Sequence, residues 1–353
     1  MNGRFLTQPI TGVQRTAFEI TMALDHLLSD GSIPRQDYDF KLIYSGTIIN
    51  PIVLKNIVLT KKGFLSGNLW EQIELPLYTA GDLLVSMCTV SCLLKRKQFV
   101  FVHDASFIVN PLFFSLAFRL WYRVAITWLG KISKRIVTVS EFSKKELINH
   151  LHINEKKIRV IYNAADHIEG YNEPAQEFRS AIRKLKPYLL AVSSQSANKN
   201  FYGLAKALKQ VDLREYQMVI AGGNSPTLKQ SLSDSSVNYL GYVSNDQLKH
   251  LYGNASLFIF PSFYEGFGIP PLEAMRLGCP VVASNTSALP EVLGDACVYF
   301  DPASTEDIAA AINRVIHDQR ELQILREKGR EQAARYNWER SAKELFQLIR
   351  SEK

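Results

Sequence analysis

The chain has 353 residues, 46% of them hydrophobic, and a net charge of +7 from 41 Lys+Arg against 34 Asp+Glu. That length and apolar content suit two globular domains with sizeable cores, and no repeat, coiled coil or low-complexity segment occurs. A pI of about 9.1 allows acidic partners such as nucleotide phosphates or anionic lipid, although +7 spread over the whole chain is also ordinary.

Short apolar runs alternate with helical patterns along most of the chain. Strands are expected at FKLIY (40–44), FVFV (99–102), IVTV (136–139), IRVIY (158–162), YLLAV (188–192), MVIAG (218–222), LFIF (257–260) and PVVAS (280–284). Near-continuous apolar strands alternating with helices indicate parallel sheets covered on both faces, and two such series imply an α/β chain of two doubly wound domains. The N-terminus is unusual. A doubly wound domain starts with a buried strand before its first glycine turn, yet only RFL precedes TGVQR (11–15). The first strand is therefore expected to be very short, unless residues precede Met1. The polar stretch NAADHIEGYNEPAQEF (163–178) reads as the linker. The expected domains are 1–167 and 168–335. The C-terminal helix 336–353, with its Trp338, Ala342, Leu345, Phe346 and Ile349 stripe, is expected to dock back on the first domain.

Cys88, Cys92, Cys279 and Cys297 form neither a CxxC pair nor a zinc spacing and read as small buried hydrophobes in a reducing cytoplasm. The N-terminus is polar and lacks the apolar core of a signal peptide. The longest uncharged apolar run near the middle, ASFIVNPLFFSLAF, is 14 residues and contains Pro111, too short to cross a bilayer.

LFIF-PSFYEGFG-IPPLEAMRLG reads as strand, loop, helix. Pro270 or Pro271 suits the first helical turn and Gly278 its C-terminal end. Gly266 and Gly268 let backbone approach a ligand, and N–H groups of the loop and helix start attract anions. Glu273 is expected in the first turn, where the helix dipole alone could account for it. The second carboxylate, Glu265, and the position at a strand's carboxyl end favour a ligand site instead. His103 alone would read as a satisfied core histidine, but HD directly after FVFV has the same strand-end placement. DYD (37–39) is a DxD string of the kind that can hold a metal, but it precedes a strand in a polar loop and reads as solvated charge.

PSFYEGFGIPPLEAMRLGCPVVASNTSALPEV (261–292) resembles the donor-site motif of retaining, GT-B-fold glycosyltransferases of family 4, a glutamate pair separated by seven residues. TGVQR (11–15), LWEQIELP (69–76), FVHDASF (101–107), TVSEFSKKEL (138–147), KIRVIYNA (157–164), NKN (198–200), VIAGG (219–223) and YLGYVSNDQLKHLYGNASLFIFPS (239–262) extend the resemblance over most of the chain. It implies two Rossmann-like domains facing a cleft. It also implies sugar transfer, mannose first, from a nucleotide-sugar to a glycan or lipid-linked glycan in bacterial surface polysaccharide assembly. GDP-mannose is the first expected donor, with UDP- or dTDP-sugars next. No metal or other cofactor and no nucleic acid are expected. The implied setting is cytoplasmic, at the inner face of the plasma membrane.

By the same resemblance, Glu273 would bind the donor's ribose, Glu265 the transferred sugar, and Lys199 the diphosphate. The Phe267 and Gly268 N–H groups would hold sugar or diphosphate, and Gly12 would let backbone close over the latter. His103 would contact the transferred sugar, with Asp104 and Arg15 toward the acceptor. Two departures stand out. The family's Arg six residues before the lysine is Ser193 here, which leaves Arg15 as a substitute cation, and the family's NG after VIY is Asn163-Ala164. Rival readings are a nucleotide-sugar epimerase, a phosphorylase-like enzyme, or a non-catalytic subunit of the same fold. The apolar, basic stretch 111–136 carries Arg119, Arg123, Lys131, Lys134 and Arg135, with LKRK (94–97) nearby. It reads either as core helices with snorkelling cations or as a face resting on anionic membrane.

Overall fold

The computed structural model describes residues 1–34, 37–88, 90–185, 187–193, 196–222 and 237–352, and for Leu112 and Ser193 the backbone alone. The expectations for the Ser193 side chain and Gly223 therefore lie outside the described residues. The chain divides into two compact units, residues 1–163 with 338–353, and residues 164–337.

In the first unit, α1 (Gly12–Ser29) buries Ala17, Ile20, Leu24, Leu27 and Leu28 along one stripe. Gly12 is its first residue, so TGVQR is a helix start rather than a turn. Thr11 N–H donates to Gln14 Oε1 at 3.2 Å, half of a capping box. β1 (Lys41–Tyr44) and β2 (Val58–Lys61) pair in parallel, while β3 (Leu84–Ser86), β4 (Gln98–Phe101), β5 (Arg135–Thr138) and β6 (Ile158–Val160) form a four-stranded parallel sheet in that order. Residues 1–3 bridge the two. Gly3 N–H donates to Ile43 O (2.7 Å), Ile43 N–H to Met1 O (3.0 Å), and Asn2 N–H to Val85 O (2.9 Å). RFL is not the first strand: Arg4–Thr7 is a 3-10 turn, and residues 1–3 occupy the strand position between β1 and β3.

α2 (Gly67–Leu69) runs through a π-helical turn, Trp70–Glu74, into α3 (Leu75–Tyr78). After β4 come α4 (Ser106–Val109) and α5 (Leu116–Ile132), and α6 (Glu141–Leu151) follows β5. Only the C-terminal part of α5 is buried, through Ala125, Ile126, Leu129 and Gly130. Leu116, Leu120, Trp121, Val124 and Trp128 are exposed.

The second unit holds α7 (Gln176–Arg183), β7 (Tyr188–Ser193), α8 (Phe201–Leu208), β8 (Gln217–Gly222), β9 (Val237–Gly241), α9 (Asn245–Asn254), β10 (Leu257–Phe260), α10 (Ile269–Arg276), β11 (Val281–Ser284), α11 (Leu289–Leu293), β12 (Val298–Phe300), α12 (Thr305–Ile316) and α13 (Gln319–Ala334). Its six strands are all parallel, in the order β12-β11-β10-β7-β8-β9. That is the doubly wound order in which the first and fourth strands of the unit are neighbours. β10 and β11 are buried at every residue because helices cover both faces, which is why they read as unbroken apolar runs.

The last helix, α14 (Trp338–Arg350), belongs to the first unit and buries Trp338, Ala342, Leu345, Phe346 and Ile349. Ser341 Oγ donates to Tyr162 O (2.6 Å), and Phe346 meets Tyr38 edge-on at 4.9 Å. Leu345 is fully buried. Leu345→Ala is expected to destabilise the chain by about 2–5 kcal/mol, read as a lower midpoint in denaturant unfolding.

Candidate active site

The strand order of the second unit reverses between β7 and β10, and in open parallel sheets ligands bind outside the carboxyl ends at such a point. Lys199 leaves one of these strands and Glu265 the other. Behind β7 a 3-10 turn, Ala197–Lys199, ends at Asn200, whose left-handed backbone (φ 52°) lets its side chain accept from Gly203 N–H (3.2 Å) and cap α8. Phe263 N–H donates to Asn198 O (2.8 Å), which ties the two loops together. Lys199 Nζ then reaches Glu265 Oε1 at 2.5 Å and lies 5.6 Å from the centre of the Phe260 ring. The Glu265 backbone is clamped from behind: its N–H donates to Ser287 Oγ (2.9 Å), and its carbonyl accepts from Ala288 N–H (3.3 Å).

Gly268, with φ 105°, turns the loop into α10. A side chain at this backbone geometry would be strained, which is why glycine stands there. Two expectations about the helix start need correction. Pro270 and Pro271 occupy its first turn and carry no N–H, so two of the four orphan donors of an ordinary helix start do not exist here. Glu273 is the fifth helical residue, in the second turn, so the dipole is not what holds it.

Other residues hold it. Glu273 is 7% exposed. Its Oε1 lies 2.9 Å from His167 Nε2, and its Oε2 accepts from Tyr252 Oη at 3.2 Å. Burial, with the Glu273 charge added, pushes the Tyr252 hydroxyl well above its usual range, so it remains a donor. A carboxylate has roughly four acceptor sites. These two bonds leave room for further donors.

His167 and Tyr252 escaped the sequence reading. His167 lies in the polar stretch taken as linker, 106 residues from its partner, and no local pattern points to it. The boundary between the units falls at Asn163/Ala164, which puts the Asp166–Gly170 turn in the second unit with Glu273. Ser287, a non-glycine residue at φ 53°, lies inside the motif stretch but had been given no role.

In the first unit His103 follows β4, and Asp104 Oδ1 accepts from Ser106 N–H (2.8 Å) at the entry to α4. His103 Nε2 lies 2.8 Å from Met87 O. A carbonyl can only accept, so Nε2 carries the proton and Nδ1 is the ring's acceptor. Burial holds the ring below its usual pKa, only partly opposed by Met87 O and Asp104. Arg15 Nη1 pairs with Glu19 Oε1 (3.2 Å) one turn on. Asp39 of the DxD string pairs with Lys41 at 2.8 Å.

Because His103 is held neutral, the folded state binds fewer protons there than the unfolded chain. The resulting stability is complete above the unfolded value, about 6.5, and is lost as pH falls below it toward the lower folded value. His103→Gln is expected to flatten this part of the stability–pH curve, measured by urea unfolding between about pH 5 and 7.5.

The Glycosyltransferase Family 4 profile matches residues 80–168, and the Glycosyl transferases group 1 profile matches residues 172–332. O-antigen chain mannosyltransferase B of Escherichia coli is 33% identical over 221 residues, 59% of this chain and 58% of that protein. O-antigen chain mannosyltransferase RfbU of Salmonella typhimurium is 29% identical over 231 residues, 63% and 62% respectively. The match thus spans less than two thirds of the length of either relative. Among solved structures, HepE of Anabaena in complex with UDP and glucose has a TM-score of 0.62 at 22% identity, over 72% of this chain and 71% of that one. WaaG, a glycosyltransferase involved in lipopolysaccharide biosynthesis, reaches 0.70 at 16% identity over 97% of each chain. The chain thus carries a segment matching the Glycosyltransferase Family 4 profile followed by one matching the Glycosyl transferases group 1 profile, on two Rossmann-like units with the GT-B fold.

Proposed function

We propose that the chain is a retaining glycosyltransferase that moves a sugar from a nucleotide-sugar to a glycan or lipid-linked glycan of bacterial surface polysaccharide. Mannose from GDP-mannose is the first candidate, with UDP- or dTDP-sugars next. The observation that carries this reading is the grouping of Lys199, Glu265 and the buried Glu273 at the switch point of a doubly wound sheet. The O-antigen mannosyltransferases among the relatives support the sugar, and the UDP complex of HepE supports a nucleotide-sugar donor.

The chemistry suits these side chains. Breaking a sugar–phosphate bond leaves negative charge on the diphosphate and builds positive charge on the ring. Lys199 would turn from Glu265 to the diphosphate, and Glu265 would then accept from hydroxyls of the transferred sugar. Glu273 would take the ribose hydroxyls on its remaining acceptor positions. The backbone at Phe267 and Gly268 would line the sugar and diphosphate. His103, in the role the family resemblance gives it, would accept a sugar hydroxyl through Nδ1. No side chain is assigned as a covalent nucleophile. The reading is therefore same-face substitution, with the leaving phosphate helping to deprotonate the acceptor. Removing the fixed cation with Lys199→Ala would lower the turnover rate by about 100- to 1,000-fold.

Calorimetry with GDP, UDP and dTDP tests the donor site. One nucleotide is expected to bind, and Glu273→Ala to weaken it by about tenfold or more, equivalent to about 1.4 kcal/mol. Glu273→Gln, which keeps the shape, controls for the two donors the alanine leaves unpaired. Binding of none of the three nucleotides would overturn the reading.

The acceptor side adds a membrane contact to this proposal. α5 contains no acidic residue, exposes Leu116, Leu120 and Val124, and carries Arg119, Arg123 and Lys131. Leu69, Ile73 and Leu77 make a second exposed apolar stripe along residues 67–78. Among the described residues no helix is long and apolar enough to cross a membrane, so the contact would be peripheral. The protein is expected to float with vesicles containing anionic phospholipid and not with neutral vesicles. A Leu116→Glu/Leu120→Glu double variant should stay at the bottom of the gradient.

A further inference from the structure

The carboxylate of Glu273 keeps only a small part of itself open to a ligand, and the way it is held decides which part. His167 Nε2 lies 2.9 Å from Oε1, and Tyr252 Oη donates to Oε2 at 3.2 Å. An ionised carboxylate can only accept, so the Nε2 contact is a donation from the ring. Among the described residues no further hydrogen bond reaches either oxygen. Each oxygen has roughly two acceptor positions. With one donor seated on each, one position remains on each, side by side.

Two adjacent acceptors match two adjacent O–H donors. A vicinal diol, such as the 2′ and 3′ hydroxyls of ribose, supplies both at once. A 2′-deoxyribose supplies one and leaves the other acceptor unpaired. Glu273 is 7% exposed, so an acceptor left empty there is poorly compensated by water. A site built to bond a hydroxyl discriminates strongly against the analogue that lacks it.

Neither holding residue is free to turn and fill the gap. The His167 side chain is 4% exposed and meets the Tyr171 ring edge-on at 6.0 Å. The turn Asp166–Gly170 that carries it is tied to two helices. Lys249 of α9 donates to Glu169 O (2.9 Å) and Tyr171 O (2.6 Å), and Arg276 of α10 pairs with Glu169 at 2.8 Å. Ile168 is buried beneath the same turn. Tyr252 is fully buried, with its ring edge-on to Phe258 at 5.2 Å. The carboxylate is thus oriented before any ligand arrives, which lowers the ordering cost of binding.

We propose that His167 and Tyr252 are positioning residues that fix Glu273 as a reader of a vicinal diol, and that they thereby restrict the donor to ribonucleotides and disfavour dTDP. The proposal rests on the nucleotide-sugar reading above and narrows it to GDP or UDP as carrier. Both residues act through Glu273, which makes the ligand contact.

The test is calorimetry on the full chain with GDP and UDP, their 2′-deoxy and 2′,3′-dideoxy counterparts, and dTDP. One ribonucleotide is expected to bind, and loss of the 2′ hydroxyl to weaken it by about tenfold. dTDP should bind no more tightly than that 2′-deoxy form. His167→Asn withdraws the donor from Oε1, Tyr252→Phe removes it from Oε2, and His167→Gln restores a donor near the Nε2 position. The first two should weaken the ribonucleotide by about tenfold and leave the dideoxy form unchanged, while His167→Gln binds like the wild type. Circular dichroism checks folding, and if His167→Asn does not fold, Tyr252→Phe decides. A merely structural role would lower ribonucleotide and dideoxynucleotide binding by the same factor, and that result would overturn the proposal. So would a 2′-deoxy form or dTDP that binds as tightly as the ribonucleotide. Nucleotide binding that is weakened by Glu273→Ala yet blind to the ribose hydroxyls would leave the donor reading standing and sink this one alone. Binding of no nucleotide would sink both.

Discussion

A carboxylate removed from water must be given donors, and Glu273 shows how much structure that requirement organises. Its two oxygens are met by His167 from the turn at 166–170 and Tyr252 from α9, while Glu273 itself stands on α10. Three segments separated by up to 106 residues thus converge on one side chain. Leaving any of these groups unpaired would cost about 1–3 kcal/mol. The helix is therefore held in register, and with it the Gly268 turn that precedes it and carries Glu265.

The same logic explains the Lys199–Glu265 pair. Both residues stand at the ends of neighbouring parallel strands, where the sheet leaves a crevice and the loops bring charge toward it. The two charges satisfy each other at 2.5 Å, and both remain partly exposed. Both side chains are mostly out of water, so removing one would leave the other charge unmatched. In the proposed function the ligand would offer a new partner to each. The Glu265 backbone, clamped to Ser287 and Ala288, does not need that side-chain pair to keep its position.

The legible parts of this fold were those where burial leaves an unbroken apolar run. LFIF matched its strand residue for residue, and the other runs were displaced by a residue or two at one or both ends. β2, β3, β9 and β12 went unread. β2 is an edge strand of mostly exposed residues, and β3 and β12 have three residues each. The first strand was expected at RFL because nothing else precedes TGVQR in the sequence. Phe5 and Leu6 are buried, but in a 3-10 turn, and Met1–Gly3 takes the strand position through backbone bonds that no side-chain pattern announces. In the site, Glu265 and Glu273 stood out by their spacing around a glycine turn. His167 did not, because its partnership exists only after the second unit has folded. Glu273 looked like a first-turn residue until the helix was seen to begin at Ile269, with its two prolines inside.

The basic composition of the chain is also placed unevenly. Lys134 and Arg135, which the sequence grouped with the membrane candidates, are both tied to Glu352. Lys95 and Lys97 donate to the carbonyls of Thr79 and Gly81. That leaves Arg96 in the LKRK stretch and, on α5, Arg119, Arg123 and Lys131 beside its exposed leucine, valine and tryptophan side chains. A cation near an anionic surface is worth about 1 kcal/mol, whereas burying a large apolar side chain is worth about 1.5–3 kcal/mol. In the proposed contact, then, the apolar stripe would supply most of the affinity and the three cations of α5 the preference for anionic lipid.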